Sequence, residues 1–238
     1  SNFYIKRAFE LPNRDIICTG SWDNGGNSSS YKTIVYRLTG NGNIIWQNNL
    51  ETTIGNSNDP PIGYSFWVQS ATMGLNDDVI LCGTSYANFS DSKAETVVRL
   101  NNLGQIVWDA NFANSGAYAF GAEGISAFIK NGQVVLVGLS HGSNNPQTPP
   151  AVNFFTLDYI NGNLLTKRFF RPDYADNREE FSKSFTYWDN KCTRLQNGNL
   201  VFYGKLFSDF GNMSSPSLYF GVIEFDASFN LVNSYTIG

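Results

Sequence analysis

Arg37-Leu38-Thr39-Gly40-Asn41-Gly42-Asn43-Ile44-Ile45-Trp46 returns further along the chain as Arg99-Leu100-Asn101-Asn102-Leu103-Gly104-Gln105-Ile106-Val107-Trp108. The distance from Arg to Trp is nine residues in both copies. Apolar residues flank a short segment rich in Asn and Gly, which reach positive φ at low cost, so each copy reads as a tight hairpin. Two weaker copies keep the shape: Thr156-Leu157, Gly162 and Leu164-Leu165, then Glu224-Phe225, Phe229 and Leu231-Val232.

Upstream of each hairpin stands an apolar run that closes in glycine. Asp15-Ile16-Ile17-Cys18-Thr19-Gly20 aligns with Asp78-Val79-Ile80-Leu81-Cys82-Gly83, Gln133-Val134-Val135-Leu136-Val137-Gly138 and Asn199-Leu200-Val201-Phe202-Tyr203-Gly204. The closing glycines lie 63, 55 and 66 residues apart. A first strand before each run completes the unit, as Ser65 to Thr72 does for the second copy and Phe3 to Glu10 for the first. Runs rich in Val, Ile, Phe, Tyr and Trp, bounded by Gly, Asn, Asp and Ser, are strands, and no stretch carries helical spacing over three turns.

Four-stranded antiparallel units in tandem at this period predict an all-β fold, a β-propeller of four blades at about 1–52, 64–113, 119–171 and 180–238. Either the four blades close a ring or they form half of a larger one. Each unit is complete, so no strand is left over to lock the ring by exchange. The closing glycine is expected to allow close approach of sheets, and Trp46 and Trp108 to wedge between blades.

The hairpins resemble the L-(D/N)-x-x-G-x-(I/L)-x-W outer hairpin of tandem propeller repeats in bacterial envelope proteins, particularly of Bacteroidetes type, and are loosely similar to quinoprotein repeats. The resemblance covers the whole chain as repeat grammar, and only two copies carry Trp. It implies a propeller and says little about activity. No cluster of acids and Asn matches a metal–quinone pocket and no vicinal cysteine pair is present, so no cofactor is expected.

Aromatic residues are 15% of the 238-residue chain and charged residues only 15%, which suits a turn-rich extracytoplasmic β protein. The formal net charge of -4 and the lack of a basic stretch exclude nucleic acid as a partner. No run of eighteen apolar residues is present to span a membrane as a helix. The opening Ser1-Asn2-Phe3-Tyr4-Ile5 is already strand-like, which suggests a mature or trimmed chain. Cys18, Cys82 and Cys192 fit no metal spacing and read as free thiols, with Cys18 and Cys82 on opposite faces.

Catalytic chemistry is sparse. The single histidine, His141, lies in a turn-like segment, and neither a Ser-His-Asp triad nor a zinc site can be assembled from it and three scattered cysteines. A carboxylate pair for glycoside hydrolysis remains, and the acids expected near the starts of inner strands are Glu10, Glu123, Asp176 and Glu180, with Glu123 the best of them. Asp23-Asn24-Gly25-Gly26-Asn27 lacks the terminal Glu of a calcium loop.

Long polar and aromatic insertions point to binding through loops on a rigid scaffold. Trp22, Asp23, Tyr64, Tyr118, Glu123 and Trp188 are the candidate binding residues. Arg171, Asp173 and Arg178, in the dense charge cluster from Arg168 to Glu180, are candidate docking residues. The leading expectation is a non-catalytic propeller that docks on another protein, as an accessory of a cell-surface or outer-membrane transport or secretion assembly. The alternative is a glycan-binding or glycan-cleaving propeller.

Overall fold

A computed structural model describes residues 2–23, 32–50, 65–86, 93–113, 122–140, 151–170, 183–185, 191–208 and 217–237. The first sheet contains β1 (Asn2–Glu10), β2 (Ile16–Asp23), β3 (Lys32–Leu38) and β4 (Ile44–Leu50), paired antiparallel in that order. The second contains β5 (Ser65–Met73), β6 (Val79–Tyr86), β7 (Lys93–Leu100) and β8 (Ile106–Ala113), with one 3-10 turn at Leu75–Asp77. The third contains β9 (Ala122–Lys130), β10 (Gln133–Ser140), β11 (Ala151–Asp158) and β12 (Leu164–Phe170). In the fourth, two short inner strands, β13 (Lys183–Phe185) and β14 (Lys191–Arg194), both pair with β15 (Leu200–Ser208), followed by β16 (Ser217–Phe225) and β17 (Leu231–Ile237). The chain is an all-β propeller of four antiparallel blades.

The apolar runs are continuous because the sheets bury both faces. Val79, Ile80, Leu81 and Cys82 are all fully buried, and alternation sends Val79 and Leu81 into the cluster with the first sheet but Ile80 and Cys82 into the cluster with the third. A third cluster, built on Val135, Val137, Phe154, Phe202 and Phe225, joins the third sheet to the fourth. Each buried Val, Leu or Phe contributes about 1.5–3 kcal/mol relative to exposure, so these three seams are the main source of stability. Among the described residues no apolar cluster joins the fourth sheet to the first.

Two irregularities repeat from blade to blade. One is a bulge between the first two strands beside the closing glycine, at Ile5/Arg7 opposite Gly20, at Val68/Ser70 opposite Gly83, and where Gly138 opposes Gly124. It changes the expected role of Gly83, since a Cβ there would overlap the Trp67 carbonyl of its own sheet. Gly138 does serve close approach, for a Cβ there would overlap the carboxyl of Glu95 from the second sheet. The other irregularity lies in the outer hairpin of all four sheets and leaves Ile45, Val107, Leu165 and Val232 outside the ladder.

Trp46 belongs to the cluster between the first and second sheets and Trp108 to the cluster between the second and third. The outer turn of the next blade lies over each ring: a Cβ at Gly104 would sit 2.7 Å from Trp46 and one at Gly162 2.8 Å from Trp108. The repeated arginine has a matching role. Arg37 pairs with Asp15 at 2.7 Å and donates to the Asp77 carbonyl of the second sheet at 2.8 Å. Arg99 pairs with Asp78 at 2.6 Å and donates to the Tyr159 carbonyl of the third sheet at 2.7 Å.

Candidate functional site

Antiparallel pairing divides each sheet into two ends. The turns at 11–15, 39–43, 74–78, 101–105, 131–132, 159–163, 195–199 and 226–230 gather at one end, and the seam contacts of Arg37 and Arg99 keep these turn ends together. The connections 24–31, 51–64, 87–92, 114–121, 141–150, 171–182, 186–190 and 209–216 lie outside the described residues, and those between second and third strands leave from the other end. That loop end carries the starts of β1, β5 and β9 and the ends of β2, β6 and β10.

The sequence candidates separate along this axis. Glu10 is the last residue of β1 and exposed at the turn end, not near the start of an inner strand as expected. Glu123 is the second residue of β9, opposite Leu139 at the loop end, and only 4% exposed. Trp22 and Asp23 are the last two residues of β2 and reach the same end of the first sheet, where they pair with Phe3 and Asn2. Tyr64, Tyr118, Trp188, Arg171, Asp173, Arg178, Asp176 and Glu180 lie outside the described residues, as does His141.

The acid that sequence reading passed over is Glu95, near the start of β7 and fully buried. It stands opposite Thr84 and points across the seam, where Asn153 Nδ2 of β11 donates to its Oε1. Its carboxyl lies over Gly138, beside the backbone oxygen of Glu123. Burial pushes its carboxyl up to about 8, against the lowering effect of the Asn153 bond. The signal was legible as an acid inside an otherwise apolar strand, in Ala94-Glu95-Thr96-Val97-Val98.

In the first three sheets the position of Glu95 faces the next blade. Thr33, its equivalent on β3, donates from Oγ1 to the Phe66 carbonyl of the second sheet. Val152 on β11 is buried against the fourth sheet, and Phe220 on β16 is 42% exposed. A second polar group on the other face of the second sheet was also missed: the buried Thr96 hydroxyl donates to Asn111 Oδ1 at 2.6 Å, with Ser85 Oγ 2.8 Å away. Asp109, two residues before Asn111, has its carboxyl pushed up by burial.

Among the described residues no group of three or more His, Cys, Asp and Glu is placed to hold a metal ion. Cys18, Cys82 and Cys192 are free thiols, and Cys18 and Cys82 face opposite ways. No helix among the described residues is long and apolar enough to cross a membrane.

No protein family and no curated protein matches the chain. Solved structures do. An alpha-L-arabinanase of Penicillium chrysogenum, complexed with arabinobiose, aligns over 98% of this chain and 65% of its own, with TM-score 0.62 and 12% identity. An alpha-L-arabinofuranosidase of Fusarium graminearum, in complex with an iminosugar inhibitor, aligns over 99% and 66%, with TM-score 0.59 and 9% identity. An endo-1,4-beta-xylanase of Bacteroides thetaiotaomicron aligns over all of this chain and 77% of its own, with TM-score 0.51 and 12% identity. The chain therefore spans just under two thirds of the length of the first two.

At these identities the likeness shows the propeller fold. It also corrects the leading functional expectation: the architectures this chain is similar to are named as glycan-cleaving enzymes, not as docking scaffolds, and the reading of a non-catalytic accessory to a transport or secretion assembly falls. That expectation rests on long polar and aromatic loops and on the lack of matching acids in the four units, and polar loops are equally what any solvated connection supplies.

Proposed function

We propose that the chain acts on glycans, binding a polysaccharide at the loop end of the propeller and cleaving it with Glu123 as an acid of the site. The observation that carries this reading is Glu123 itself, a carboxylate 4% exposed at the loop end of an inner strand. Glycoside hydrolysis needs two carboxyl groups flanking the scissile bond. Asp23, which closes β2 at the loop end of the first sheet, is the candidate for the second acid, and Trp22, next to it in sequence, is of the residue type that stacks on sugar rings.

The names of the similar structures suggest the substrate class, a pentose-based polysaccharide of the arabinan or xylan kind. Such polymers are met outside the cytoplasm, which agrees with the low charge, the abundant aromatics and the resemblance to envelope repeats. The test is reducing-sugar release from arabinan, arabino-oligosaccharides and xylan, with calorimetric binding to the same polymers. Glu123→Gln should lower hydrolysis by about 100-fold or more while binding persists. Absence of both binding and release for every polymer would overturn the reading.

A further inference from the structure

Glu95 and Asn153 already share one hydrogen bond, from Asn153 Nδ2 to Glu95 Oε1. Their two remaining oxygens, Glu95 Oε2 and Asn153 Oδ1, are buried and have no hydrogen-bond partner. Leaving even one such oxygen buried and unsatisfied is destabilising, and more so when it is charged. Both lone oxygens are acceptors when the carboxyl is ionised, so no rotation of either group joins them. One proton on Oε2 would turn it into a donor for an amide oxygen of the same pair that lacks one.

We infer that Glu95 is carried as the neutral carboxylic acid and closes a two-bond acid–amide ring with Asn153, a latch between the second and third sheets that is lost with its proton. A carboxylic acid and a primary amide are complementary in this way, each giving one donor and one acceptor. Burial works in the same direction, since it pushes the Glu95 carboxyl up to about 8. Among the described residues no cation acts on Glu95; the causes that do are burial and the Asn153 bond.

The surroundings are consistent with a proton and not an ion pair. On β10 and β11 the latch sits over Gly138, and the neighbours on that face of the third sheet, Leu136 and Phe155, do not titrate. On β6 the Thr84 hydroxyl is buried and unbonded, and the Cys82 thiol is pushed well up, chiefly by burial and further by Glu95. On β9 the backbone oxygen of Glu123 borders the carboxyl, and its side chain, paired opposite Leu139, stands on the face turned to the fourth sheet.

The latch predicts a definite pH dependence. The folded carboxyl keeps its proton up to about 8, whereas the unfolded chain releases it near the ordinary value of 4.5. Stability from this group is therefore complete below the lower value, falls as pH rises between the two, and levels above the upper one. Denaturant unfolding of the wild type and of Glu95→Gln, which replaces the O–H donor by N–H and keeps the ring, is compared from pH 5 to pH 9. The wild-type unfolding constant should rise about tenfold per pH unit relative to the variant until near pH 8. Parallel curves would overturn the inference.

Infrared spectroscopy provides a measurement that does not depend on how the variant folds. At pH 7 the wild type should show the carbonyl stretch of a buried carboxylic acid, shifted by deuterium and lost on titration with a midpoint near 8. A spectrum with carboxylate bands only at pH 7 would overturn the latch. Neither readout uses a glycan, so the outcome is independent of the proposed activity.

Discussion

The seam between the second and third sheets and the seam between the third and fourth do the same work with different residues. In the former, Trp108 of the outer strand lies under the Gly162 turn and donates from Nε1 to the Tyr159 carbonyl at 2.9 Å. In the latter the outer strand has Thr166 where Trp108 stands, and the next turn has Phe229 where Gly162 stands. Phe229 keeps the positive φ of its glycine equivalents, 64° against 73° at Gly162, and stacks on Phe154 with ring centroids 4.8 Å apart. The aromatic ring has moved from one blade to the next across the seam. Its packing offsets the roughly 1–2 kcal/mol that a side chain in the left-handed region costs.

The cation is exchanged as well. Arg99 reaches a carbonyl of the following blade from its third strand, while at the last seam Lys130 donates to the Ala227 carbonyl and Arg168 to the Ser228 carbonyl at 2.6 Å. The pair that Arg99 makes with Asp78 has become Asn199 donating to Glu224 at 2.7 Å in the fourth sheet. A seam therefore asks for an aromatic plate and a cation on a carbonyl, without fixing which strand supplies them.

The comparison can be broken at its aromatic plate. Trp108→Ala should destabilise the protein by about 3–5 kcal/mol, because it leaves a cavity and removes one of the two hydrogen bonds to the Tyr159 carbonyl, and Thr166→Ala at the equivalent exposed position should cost no more than about 0.5 kcal/mol. Denaturant unfolding measures both. Next comes the turn above the plate. Gly162→Ala should cost about 2–4 kcal/mol from φ strain plus overlap with Trp108, and Gly42→Ala, which meets nothing within 4 Å, only about 1–2 kcal/mol. The smallest effect sharpens the exchange: Phe229→Ala and Phe229→Gly both lose the stack, but the glycine variant should be the more stable by about 1 kcal/mol, since it relieves the φ strain. Equal midpoints for the two would mean that Phe229 carries no strain.

The fold was legible because its signal repeats. Four apolar runs closing in glycine and four outer hairpins cannot all be accidents, and even the drifted Phe229 aligned correctly. The site was far less legible. Glu123 stands near a strand start, where its place in the sequence puts it, but Glu10 closes β1 at the turn end, since only the direction of β1 decides which end it reaches. Glu95 was missed since an acid in a strand is normally solvated, and only the sheet on the far side shows that this one is not. Trp22 and Asp23 close β2, and the other candidates lie outside the described residues, where sequence gives composition and no partner.

The outer hairpin bulge also bears on how the protein behaves at high concentration. The outer strands β4, β8, β12 and β17 each end their sheet, and a flat free edge invites another chain to pair with it. In every one of them the ladder is broken near its start, and Ile45, Val107, Leu165 and Val232 are turned out between 43% and 52% exposed. A strand kinked in this way offers a partner only a short straight run of amides. The rim thus exposes greasy side chains yet resists growing into fibrils, so its self-association would be governed by reversible side-chain contact and not by shared backbone hydrogen bonds.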